Sequence, residues 1–71
     1  MTAGNYYVND TPQPLSGDHE VHVEGCYWLS LARSTTPLGY HLSCTTAVAA
    51  ARRKYLRSNG CATCSAECHT G

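Results

Sequence analysis

Sulfur and imidazole side chains cluster at two places in this chain of 71 residues. Near the end of the chain Cys61 and Cys64 form a Cys-x-x-Cys pair, and upstream His22 and Cys26 form a His-x-x-x-Cys pair. A Cys-x-x-Cys turn places two thiols on one side of a tight loop. A second pair brought close by folding completes the four ligands that tetrahedral Zn²⁺ prefers. The sequence therefore predicts a zinc site formed by His22, Cys26, Cys61 and Cys64.

Cys68 and His69 leave this ligand set open to an alternative. Cys68 follows Cys64 at a spacing of i, i+4, so Cys68 or His69 could displace His22 or Cys26. The preferred expectation is that Cys68 is a free thiol and His69 is solvated, because residues near a chain end are usually poorly ordered.

The size of the chain explains why a cross-link is expected. We predict one small domain over residues 1–71, with too modest an apolar core to be stable without a staple. Disulfides and a structural metal are the two usual staples. The odd number of five cysteines favours zinc over complete intramolecular pairing, although disulfides remain the alternative.

The first part of the chain bears on where the protein acts. Residues 1–20 lack the basic start and apolar run of a signal peptide, and no stretch is long enough to span a bilayer. We therefore expect a cytoplasmic protein with no membrane partner, in which thiols stay reduced and bind metal.

The elements that must position the ligands are short. Alternating or β-favouring residues predict three strands, at 6–8, 20–23 and 38–42. Ser43 as an N-cap and Asn59-Gly60 as a stop signal predict a helix over residues 43–58. We thus expect an α+β fold of about three short antiparallel strands packed against one main helix.

One stripe of the predicted helix is apolar. Cys44, Val48, Ala51 and Tyr55 are spaced i, i+4, i+7 and i+11, which places them on one face toward the sheet. Within this stripe, Cys44 is expected to be a small buried hydrophobe rather than a ligand.

Basic residues are concentrated on the opposite side of the same helix. The chain has a formal net charge of zero, so no global field attracts nucleic acid or an anionic membrane. A local cluster of basic residues nevertheless makes a nucleic-acid-binding module the first alternative function. The residues of this cluster are Arg52, Arg53, Lys54 and Arg57. The simpler interpretation is the polar face of an amphipathic surface helix.

The order of these motifs resembles the metal-binding module of the bacterial Ada methylphosphotriester-repair proteins and their small relatives. The resemblance rests on His22-x-x-x-Cys26, a strand at 38–42, Ala47 in a helix and Gly60-Cys61-x-x-Cys64, within residues 20–64. It implies that His22, Cys26, Cys61 and Cys64 are the zinc ligands. The chain also resembles small bacterial proteins with a Gly-Asp-His-Glu-Val-His segment. The repair proteins use four cysteines, one of which accepts a methyl group, so the histidine at position 22 speaks against methyl transfer here.

These observations predict a small structural zinc domain that serves as an interaction module and not as an enzyme. Four protein ligands leave no open position for water on the metal. A thiol-reactive or methyl-accepting protein centred on Cys61 or Cys64 is the second alternative.

Overall fold

The structure, a computed structural model, describes residues 2–70. Its elements in chain order are β1 (Gly4–Asn9), β2 (His19–Val23), α1 (Tyr27–Ser30), β3 (Thr35–His41), α2 (Cys44–Ala51), β4 (Ser58–Gly60) and a 3₁₀ turn (Ala66–Cys68). The strands form one sheet in the order β3-β1-β2-β4. β1 is antiparallel to both β2 and β3, whereas β4 is parallel to β2, so the sheet is mixed.

The prediction of three antiparallel strands against a helix over 43–58 is therefore wrong, although the α+β character is right. The helix ends at Ala51, and a fourth strand, Ser58–Gly60, pairs in parallel with β2. Serine, asparagine and glycine give no local strand signal, because asparagine and glycine are depleted in strands. The pairing is imposed by the neighbouring strand, through contacts that a local pattern does not encode.

The hydrophobic core lies between α2 and one face of the sheet. Its members are Tyr6, Val8, Val21, Val23, Cys44, Ala47, Val48 and Ala51. The register pairs Tyr6 with Val23 and Val8 with Val21, which places these four side chains on the same face. The predicted helix stripe is confirmed for Cys44, Val48 and Ala51, all of which are buried. Because side chains alternate along a strand, His22 points to the opposite face from Val21 and Val23.

A carboxylate at the end of β1 ties the other side of the fold together. Asp10 accepts hydrogen bonds from Ser34 (2.6 Å), Thr36 (2.6 Å) and Tyr55 (2.8 Å), which lie in or beside β3 and beyond α2. These hydrogen bonds, with Lys54 at 3.6 Å, hold the pKa of Asp10 well below its usual range. The network fixes the segment after α2 against the start of β3.

Candidate metal centre

The parallel pairing of β2 and β4 brings two distant parts of the chain to one edge of the sheet. Val21 pairs with Gly60, so the residues that follow each strand emerge side by side. The Cys61 amide donates to the Val21 carbonyl at 3.0 Å, which extends the pairing by one residue toward His22. This arrangement carries His22 and Cys61 to the same place.

Two turns deliver the remaining thiols. After β2, Gly25 has a φ of +93°, a conformation that glycine adopts readily and other residues rarely, and the chain reverses there into Cys26. After β4, the Ser65 amide donates to the Cys61 carbonyl at 2.9 Å, which closes the turn that carries Cys64. Each predicted pair of ligands therefore lies on one tight turn.

The four predicted ligands converge. One ligand atom from each of His22, Cys26, Cys61 and Cys64 lies within 4.8 Å of all the others. The Nδ1 atom of His22 is 3.7 Å from the Cys26 Sγ and 3.9 Å from the Cys64 Sγ. A tetrahedron with Zn–S of about 2.3 Å and Zn–N of about 2.05 Å has an N···S edge of about 3.6 Å. The observed separations are close to that edge, so these donors are spaced to hold a metal ion.

The centre is largely closed to solvent. His22 is 1% exposed, Cys61 2% and Cys26 8%, whereas Cys64 is half-buried. Burial lowers the pKa of His22, partly opposed by Glu20, and so favours the neutral imidazole that ligates metals. An enclosed group of soft sulfur donors and one neutral nitrogen suits a metal cation.

The thiols of Cys26 and Cys64 are shifted in pKa in opposite directions. Burial, together with the hydrogen bond that its S–H donates to the Cys26 sulfur, raises the pKa of Cys64 to about 12. Burial also opposes ionisation of Cys26, but hydrogen bonds from Cys64 and from backbone around Leu29 outweigh it, and the pKa of Cys26 is lowered. Of these two thiols, Cys26 ionises first.

The two remaining cysteines form a disulfide, which the sequence interpretation did not predict. Cys44 on α2 is bonded to Cys68 in the 3₁₀ turn. The expectation that Cys68 is a free thiol is therefore wrong, although Cys44 is buried as expected, at 1% exposure. His69 directs its Nδ1 atom at the Gly60 carbonyl, 3.0 Å away, so neither Cys68 nor His69 belongs to the cluster.

Glu20 is a neighbour of the centre that sequence reasoning missed. Its Oε1 atom lies 3.7 Å from the Nε2 atom of His22, on the side of the ring away from the sulfurs. Residues i and i+2 of a strand share a face, so the position of Glu20 two before His22 was the available signal. A carboxylate beside the outer nitrogen of a ligand imidazole orients the ring and favours the tautomer with Nδ1 free to bind.

The predicted basic helix face does not form, because α2 ends at Ala51, before all four residues. Three of the four make intramolecular contacts. Arg52 donates to the Ser58 carbonyl, and Lys54 donates to Thr36 at 2.6 Å. Arg57 lies 3.3 Å from Asp18 and also donates to the Ser16 carbonyl. Arg53 is exposed. The four residues do not share a helix face, and nucleic-acid binding by them stays a prediction.

Within residues 2–70, the structure has no helix with the length and apolar character needed to cross a bilayer. Comparisons of the chain with protein-family models, curated proteins and solved structures give no match.

Proposed function

We propose that this protein is a small zinc-binding domain whose Cys₃His centre is structural. The observation that carries the proposal is the convergence of His22, Cys26, Cys61 and Cys64 within 4.8 Å, at separations close to a tetrahedral edge. Three sulfurs and an imidazole nitrogen are the donors that favour Zn²⁺ over the hard cations Mg²⁺ and Ca²⁺. An Ada-like module is the family that this ligand pattern suggests.

A structural role follows from the number of protein ligands and from what they connect. Four ligands complete a tetrahedral site and leave no position for a water nucleophile, so we propose no enzymatic activity. The ion would join the turn after β2 to the turn after β4, two segments far apart in the sequence. Such a site forms only in the folded chain, so the free energy of metal binding adds to the free energy of folding.

We infer that the domain serves as an interaction module and acts in the cytoplasm. Three thiols without disulfide partners suit a reducing compartment, in which they are available for zinc. In that compartment the Cys44–Cys68 pair would be reduced, and zinc would be the remaining cross-link.

Native mass spectrometry with substitution by cobalt tests metal binding. We expect one ion per chain, and Co²⁺-loaded protein should show the intense visible absorption of a tetrahedral thiolate site. His22→Gln and Cys64→Ser should abolish or strongly weaken binding. His69→Gln is the matched control, because this histidine lies outside the cluster and should bind normally. A chain that takes up no metal, or a His69→Gln variant as deficient as His22→Gln, would refute the ligand assignment.

The structural role has a separate test. Removal of zinc with a chelator should collapse the chemical-shift dispersion of the amide NMR spectrum, and added Zn²⁺ should restore it. A spectrum that stays dispersed after complete removal of the metal would refute the role of zinc in folding, although it would not contradict zinc binding.

A further inference from the structure

A cavity opens beside the metal centre. Its volume is about 290 Å³. The turn after β4 and the start of α1 contribute to its lining. The lining residues are Gln13, Glu20, Trp28, Cys61, Ala62 and Thr63. The cavity therefore shares the Cys61 turn with the candidate metal centre.

One wall of the cavity is an indole held in a fixed position. The Trp28 Nε1 donates to the Thr63 Oγ1 at 3.1 Å, across the chain from α1 to the turn after Cys61. Trp28 is nevertheless 49% exposed, and α1 has no buried residue. A large aromatic side chain that is positioned by a hydrogen bond and left open to solvent is typical of a binding surface.

The lining of the cavity also carries negative charge. Glu20 lies in its lining, and within residues 2–70 no lysine or arginine lies at ion-pair distance from its carboxylate. With zinc bound, three thiolates and a neutral histidine leave the centre with a net charge of −1, and Cys61 brings part of that charge to the cavity. The ion's own charge is included in this sum. A negative lining that also contains an aromatic ring matches the chemistry that recognises organic cations.

We propose that this cavity binds an alkylammonium group, with Trp28 as the aromatic wall and Glu20 as the counter-charge. The cation can belong to a free quaternary amine or to a lysine side chain, since the aromatic ring and carboxylate suit both. The contribution of the metal centre to the site rests on the proposed zinc binding.

The tryptophan itself reports binding, because Trp28 is the only tryptophan of the chain. We would titrate zinc-loaded protein of full length with choline and follow the intrinsic fluorescence at constant ionic strength, with sodium chloride as the balancing salt. Choline should give a saturable change. Its neutral isostere 3,3-dimethylbutan-1-ol has the same shape without the charge and should bind about threefold or more weakly, since cation–π attraction is lost. A second titration with Nα-acetyl-lysine amide shows whether a lysine side chain is also accepted.

Two glutamates make a matched pair of variants. Glu20→Gln removes the charge from the cavity and should weaken choline binding about threefold, as expected for one partly exposed charge. Glu24 is exposed and does not line the cavity, so Glu24→Gln should bind like the wild type. Trp28→Leu removes the ring and the reporter, so its loss of binding is measured from choline methyl signals by NMR, with Tyr27→Leu as the control.

The experiments distinguish failure of the ammonium site from failure of zinc binding. Zinc-loaded protein that responds to neither cation, or responds equally to choline and its neutral isostere, would overturn the ammonium site and leave zinc binding standing. Equal weakening by Glu20→Gln and Glu24→Gln would also overturn it. If the chain takes up no zinc, the same titrations on metal-free protein test cation binding by Trp28 and Glu20 alone. Absence of binding to the metal-free protein would also overturn the ammonium site.

Discussion

Reduction of the Cys44–Cys68 disulfide should cost this small domain a large part of its stability. The bond joins residues separated by 24 positions. In the chain-entropy model, a cross-link that closes a loop of this length removes unfolded-state entropy worth about 3.5 kcal/mol at 25 °C. Small domains have a net stability of about 5–15 kcal/mol, so the loss would be a substantial fraction of the total.

Urea denaturation of oxidised and reduced wild-type protein, both saturated with zinc, measures this difference. Reduced wild-type protein is a better comparison than an alanine variant, because both sulfur atoms remain and no cavity is made at Cys44, which is 1% exposed. A phosphine reductant avoids a thiol that competes for zinc. In thermal denaturation, a loss of this size should lower the Tm by about 15–25 °C for a chain of this length.

The zinc content provides the control for this experiment. Cys44 and Cys68 are not among the four converging donors, so reduction should leave one ion per chain. A difference in the free energy of unfolding below about 1 kcal/mol would refute the entropic reasoning. Loss of zinc on reduction would show that the disulfide and the metal centre are not independent cross-links.

Three further substitutions test the rest of the fold. Asp10→Asn should destabilise the protein at neutral pH. Because the folded-state pKa of Asp10 is lowered, this carboxylate stabilises the fold above its unfolded-state pKa of about 4, and the stabilisation is lost as the pH falls. The difference in Tm between the variant and the wild type should therefore disappear in acid. A difference in Tm that does not change with pH would contradict this. Gly60→Ala should cost about 1–3 kcal/mol in urea denaturation, since its Cβ would lie 2.8 Å from the Ser65 carbonyl oxygen and 2.9 Å from the Cys68 carbonyl carbon. Gly25→Ala has free space but a φ of +93°, so it should cost about 1 kcal/mol and less than Gly60→Ala; the reverse order would count against the close packing at Gly60.

The four candidate ligands could be identified from the sequence because ligand chemistry is local. Each pair of donors lies on one turn, and the types and spacing of His22-x-x-x-Cys26 and Cys61-x-x-Cys64 are visible without knowledge of the fold. The convergence of the two pairs was an inference from the needs of a tetrahedral ion. It agrees with the observed separations because the parallel pairing of β4 with β2 brings the two turns together.

The disulfide and the fourth strand could not be predicted, because both depend on where distant segments meet. The sequence places Cys68 near the end of the chain, which favours disorder, whereas pairing of β4 with β2 carries the segment after Gly60 back across α2 and Cys44. Once the helix is taken to run to residue 58, no strand remains to make that return. The error in the helix end hid β4, and the expected disorder near the chain end separately hid the disulfide of Cys68.

The segment after β4 is held by bonds rather than by apolar burial. Within residues 61–70 the buried side chains are those of Cys61 and Ser65, so the segment gains little from the hydrophobic effect. Asn59 fixes its far end through a pair of hydrogen bonds with the Thr70 backbone, each 3.0 Å long. The disulfide attaches the same segment to α2, and the proposed zinc centre would attach it to β2. Where the disulfide is formed and zinc is bound, two cross-links on one short segment would hold Thr63, and with it the indole of Trp28, in a fixed position at the surface.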